Sequence, residues 1–74
     1  MKTFGKVKEY DGYNGIIKGI DGNNYILMSR EITDKKELKV NDNVSFEPDY
    51  YKTPETEAYI ARFVTKIKEK ESNK

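Results

Sequence analysis

Apolar and polar side chains alternate along most of this chain, and the alternation predicts short strands separated by turn-forming residues. Residues 3–10 (TFGKVKEY) have the period-two pattern and β-prone types of a half-buried strand. DGYNG at 11–15 supplies Asp-Gly and Asn-Gly, which tolerate positive φ in tight turns. Residues 15–20 (GIIKGI) read as a second strand, with Gly19 expected at a bulge or a close backbone approach. DGNN at 21–24 predicts a hairpin turn into a third strand, YILMS at 25–29, which stops at the charged pair Arg30 and Glu31.

The segment 32–42 (ITDKKELKVND) reads as a polar connection pinned by Ile32, Leu38 and Val40. Its DKKEL suits one helical turn but lacks the length of a stable helix. NVSFE at 43–47 predicts a fourth strand with Val44 and Phe46 on one side. Pro48 is expected to end it, because proline cannot donate to a ladder, and 48–57 then reads as a long loop. AYIARFVTKI at 58–67 predicts the fifth strand. KEKESNK at 68–74 has no apolar side chain and reads as a flexible charged tail.

Alternation predicts one core made of Val7, Ile17, Leu27, Val44, Phe46, Ala61 and Val64. Tyr25 belongs with it, and Tyr59 and Phe63 are expected to pack as well. Closure suits five short strands in residues 1–67 better than an open sheet, since it removes edges that so small a sheet cannot protect. The fold expectation is all-β: one domain, a small five-stranded antiparallel barrel of OB type. An SH3-like barrel of similar size is the structural rival.

Composition bears mainly on function. At 74 residues the chain buries only about 60–65% of its unfolded surface. Fourteen basic groups against thirteen acidic ones leave a net charge of +1, which argues against a strongly electropositive binder but allows lysines sorted onto one face. There is no cysteine and no histidine, so disulfides, thiolate chemistry and the commonest general base are absent. Carboxylates such as Glu55 and Glu57 sit in a polar stretch with no sign of burial. The glycine turns are too short to cradle a phosphate. No apolar run reaches membrane-spanning length, and a soluble cytoplasmic protein is the expectation. Enzymatic activity, cofactors and metals are not expected.

Several segments carry a resemblance. GKVKEYD at 5–11 is similar to the opening strand of cold-shock domains, which reads G-K-V-K-W-F-D. The REI at 30–32 resembles the exit of their third strand. LKVNDNVSFE at 38–47 resembles L-x-x-G-x-x-V-x-F-E, with Asn41 in the neighbourhood of the glycine. ARFVTKI at 61–67 is similar to the A-x-x-V-x-x-[IL] that closes the barrel. Together they span residues 4–67 in order. The resemblance implies binding of single-stranded RNA or DNA across strands one to three, with bases stacked on aromatics and phosphates held by lysines.

The family's stacking motifs, K-G-F-G-F-I and V-F-V-H-F, are not kept. Asn14 and Ile16 stand at the phenylalanine positions of strand two, Ile26 and Met28 replace phenylalanine and histidine on strand three, and Glu9 replaces the tryptophan of strand one. The first loop is about two residues short. At about 1–3 kcal/mol per stacked base, these losses predict weak binding of low sequence specificity.

The candidate nucleic-acid contacts are the cations Lys6, Lys8, Lys18 and Arg30, the tyrosines Tyr10 and Tyr13, and the apolar Ile16, Ile26 and Met28. Tyr50 and Tyr51 lie before strand five, in a region OB folds use for ligands. Plainer roles stand beside these: lysines at alternate strand positions commonly form a solvated face, and Tyr10 suits a barrel rim. The competing function is a protein-interaction module, in which Ile16, Ile26 and Met28 form an aliphatic patch for a protein partner or a homodimer.

Overall fold

A computed structural model describes residues 2–33 and 37–67. The chain forms β1 (Thr3–Tyr10), β2 (Asn14–Gly19), β3 (Asn24–Met28), a single 3-10 turn (Ser29–Glu31), β4 (Asn43–Lys52) and β5 (Glu57–Lys66). The strands close in the order β1-β2-β3-β5-β4, with β4 returning to β1. Among the described residues no helix is long and apolar enough to cross a membrane.

The five expected strands are present, but the barrel is not antiparallel throughout. β3 runs parallel to β5, with Ile26 opposite Ile60, and an isolated parallel bridge joins Ile32 to Val64. The cause is arithmetic. A ring whose neighbours all run antiparallel must alternate up and down, which an odd number of strands cannot do. One parallel seam is obligatory, and it falls where the connection from the 3-10 turn to β4 crosses over.

The core holds Val7, Ile17, Leu27, Val44, Phe46, Ala61 and Val64, each essentially inaccessible, joined by Tyr25 and Leu38. Every member of the expected inward set is therefore buried. Ala61 and Val64 both face inward although they stand three residues apart, which a regular strand forbids. A register shift supplies the extra residue: Ser45 faces Thr65 and Glu47 faces Arg62, with Phe63 at φ 51. The bulge turns Phe63 outward, half exposed, and the expectation that it packs is corrected. Its N–H donates to Glu31 Oε1 (3.3 Å).

A second correction concerns Pro48. β4 continues through it to Lys52, and Tyr50 and Tyr51 lie in the strand, not in a loop. Beyond Phe46, β4 has no partner on the β1 side among the described residues, so the donor that proline lacks falls on an open edge and no ladder bond is lost. The connection to β5 shrinks to a tight turn in which the Thr53 N–H donates to the Thr56 carbonyl (2.7 Å).

The Asp-Gly turns behave as expected. Asp11 Oδ1 accepts from the N–H groups of Tyr13 and Asn14, both at 2.8 Å, and Gly12 takes φ 100. Gly19 marks a close approach, not a bulge: a Cβ there would lie 2.9 Å from the Tyr25 ring. The tightest approach is at Gly15, where a Cβ would stand 2.1 Å from the Glu9 carbonyl oxygen. Of the expected DKKEL turn, residues 34–36 lie outside the described residues, as does the tail at 68–74.

Candidate nucleic-acid interface

The outer surface of β1, β2 and β3 is laid out by register. Lys6 faces Lys18, which in turn faces Asn24; Glu9 faces Ile16, which faces Ile26; Asn14 faces Met28. Successive outward residues on β2 (Lys18, Ile16, Asn14) follow at about 7 Å. The face therefore runs from a basic row, through an aliphatic row, to Met28.

Lys8 occupies an irregular position. The register passes from Val7 opposite Ile17 to Glu9 opposite Ile16, so Lys8 is the inserted residue of a bulge, exposed between the two rows. The loop before β4 takes over the free edge there: the Asn41 N–H donates to the Val7 carbonyl (2.8 Å), and the Val7 N–H donates to the Asp42 carbonyl (2.9 Å). Asn41 sits at φ 81, a conformation that asparagine tolerates better than most residues.

The far end of the face is closed by two turns. The Ser29 N–H donates to the Tyr13 carbonyl (2.9 Å), which brings the β1 to β2 turn against the 3-10 turn carrying Arg30. Tyr13 is the most exposed aromatic of the described residues, at 75%. Cations thus stand at both ends of an aliphatic middle.

Tyr10 does not join this face. The bulge at Lys8 reverses the parity of the last two residues of β1, so Tyr10 pairs with Gly15, packs partly against the core and donates its hydroxyl to the Gly12 carbonyl (3.1 Å). Partial burial, then the charge of Asp11, push its phenol above the usual value. Asp11 itself is held below the usual carboxylate range by the N–H groups of Asn14 and Tyr13.

Ile60 joins the face without any local signal in the sequence. Through the parallel seam it extends the aliphatic row to Ile16, Ile26 and Ile60 across three strands. Its neighbour is set by closure alone, so alternation within β5 cannot reveal it.

The ionic surroundings separate the basic residues into two kinds. Arg62 Nη1 lies 2.9 Å from Glu31 Oε2 and its Nε 3.0 Å from Asp49 Oδ2, and Lys66 Nζ lies 3.3 Å from Asp42 Oδ2. Among the described residues no ion pair joins Lys6, Lys8, Lys18 or Arg30. Lys6 and Lys18, directly opposite each other, repel instead. Compared with models of known protein families and with curated proteins, the chain matches none.

Proposed function

We propose that this protein is a non-enzymatic, cold-shock-like OB barrel of the cytoplasm that binds single-stranded RNA or DNA weakly and with little sequence preference. The observation that carries this reading is the outward pair Lys6 and Lys18, two like charges set opposite each other with no acidic partner among the described residues. In the free protein that arrangement costs a few tenths to about 1 kcal/mol. A phosphate backbone lying between the two reverses the sign. The strand order and its β1 to β4 closure support the OB reading, whose ligands use the face of strands two and three and the first turn. The left-handed Asn41, where the family has glycine, supports the cold-shock resemblance.

Few aromatics line the face, so affinity rests mainly on phosphate neutralisation. Three or four cations give a slope of about −2 to −3 in log K against log salt, at roughly −0.7 per phosphate on a single strand. Titration with oligo-U and oligo-dT should shift the backbone NMR signals of Lys6, Tyr13, Lys18 and Arg30 with that slope. Glu9→Trp should tighten binding by about 1–3 kcal/mol without steepening it. Shifts confined to β4 and β5, or none at low salt, would sink the reading.

The row Ile16, Ile26 and Ile60 favours a second reading, a module that docks a protein through an aliphatic patch. Under that reading oligonucleotides leave the spectrum unchanged and Glu9→Trp only makes the face more adhesive.

A further inference from the structure

The Lys6 and Lys18 pair is not at the end of the face. One outward position further back along β1 stands Phe4, 50% exposed, tied to the turn after β2 by the Ile20 N–H, which donates to the Phe4 carbonyl (3.0 Å). Ile20 is 74% exposed. Phe4, Ile20 and Ile67 line a depression of about 470 Å³ whose remaining wall includes Lys6 and Lys18. On the other side of the same two lysines lies a smaller depression of about 230 Å³, bordered by Lys8, Val40 and Asn41. The lysine pair is thus a cationic ridge between two hollows.

We propose that the larger hollow is a base-binding subsite, in which one base of a single strand lies against the Phe4 ring while its phosphates rest on Lys6 and Lys18. This rests on the nucleic-acid reading above and extends it to an aromatic surface outside the resembled stacking motifs. The occupant must be apolar on one side and negatively charged on the other, because exposed Phe4 and Ile20 adjoin two cations that no ion pair joins among the described residues. A nucleotide meets both demands. A second copy docked through this same patch meets only the first: it brings apolar groups and two more cations, and no anion. Residues 68–74 (KEKESNK) carry no apolar side chain. Stacking on a phenylalanine face is indifferent to base identity, which agrees with low sequence preference.

The chain contains no tryptophan, so Phe4→Trp installs a sole indole at the subsite. Oligo-dT and oligo-U should quench it along the same binding curve as the NMR shifts. An abasic deoxyribose-phosphate oligomer should leave the indole at position 4 unquenched. Phe4→Leu, confirmed as folded by its melting curve, should weaken oligo-dT binding about five- to a hundredfold with an unchanged salt slope, since stacking releases few counterions. Oligo-dT binding that neither quenches the indole nor weakens in Phe4→Leu overturns the subsite and leaves the nucleic-acid reading standing. Indole fluorescence that depends on protein concentration without oligonucleotide overturns it in favour of self-association. No binding by the parent or by Phe4→Trp at low salt overturns both.

Discussion

The outer face of β1, β2 and β3 and the outer part of the β4–β5 hairpin, called the arm below, are both solvent-exposed, yet they handle charge in opposite ways. On the arm, Lys52 faces Glu57, Tyr50 donates its hydroxyl to Glu57, and Arg62 bridges Asp49 and Glu31. Two of its tyrosines join an aromatic series that runs into the core: Tyr50 lies 4.9 Å from Tyr59, Tyr59 5.4 Å from Tyr25 on β3, and Tyr25 4.8 Å from Phe46, ring centre to ring centre. On the face, Lys6 confronts Lys18, and Phe4 and Tyr13 stand open. The difference lies in charge: the arm pairs its ionic groups internally while Tyr51 and Phe63 stand as open as Phe4, and the face sets its cations against each other. Position on a strand therefore says less about function than the residue standing opposite.

Removing the element both regions share gives the largest effect. Phe46 is the last β4 residue paired with β1 and the inner end of the arm's aromatic series. Phe46→Ala should lose about 3–5 kcal/mol in a urea melt, most of the stability of so small a domain. A variant that melts like its parent would break the claim that one core supports both regions.

Single charges should separate the regions by sign. Arg62→Ala removes two ion pairs and strands Glu31, whose side chain is only 15% exposed. Because the arginine is itself solvated, the loss should be modest, a melting temperature lowered by a few degrees. Lys18→Gln should do the reverse, raising stability by a few tenths of a kcal/mol as the repulsion from Lys6 disappears. The same variant should make the salt slope of oligo-dT binding shallower by about 0.7. Equal destabilisation by both substitutions would erase the contrast.

The smallest expected effect is a difference in alkaline titration. The Tyr50 phenol is pushed up to about 12, chiefly because it donates to Glu57, with partial burial and the charges of Glu57 and Tyr59 adding. Folding thus favours its protonated form. That contribution is complete below the ordinary tyrosine value near 10 and fades as pH rises through about 12. Burial raises the phenols of Tyr10 and Tyr25 as well, so phenol absorbance should show a late-ionising component that Tyr50→Phe reduces, while the backbone signals of Lys6 and Lys18 stay put until the arm has loosened. A late component that Tyr50→Phe leaves unchanged would refute the Glu57 bond.

Much of the candidate site is legible in the sequence because outwardness is a local property of a strand. Lys6, Lys18, Ile16, Ile26 and Met28 follow from alternation once Ile17 and Leu27 are assigned inward. Tyr10 is the exception, because the bulge at Lys8 reverses parity and turns it to the rim. Phe4 lies in plain view in the first strand, but only the folding of Ile20 and Ile67 beside it makes a hollow of that position.

For the fold, local patterning was enough to place five strands, the turns at Asp11 and Asp21 and nearly all of the core, because period-two alternation and turn chemistry act over a few residues. Five strands in one ring even required a parallel seam, by parity alone. Which strands form that seam, that Ile60 joins Ile16 and Ile26, that Phe63 swings outward, and that Pro48 lies within a strand were decided by tertiary structure. Each depends on pairing between segments distant along the chain. Parity along a strand is set locally, but a single inserted residue inverts it, and where an insertion is tolerated depends on the partner across the ladder.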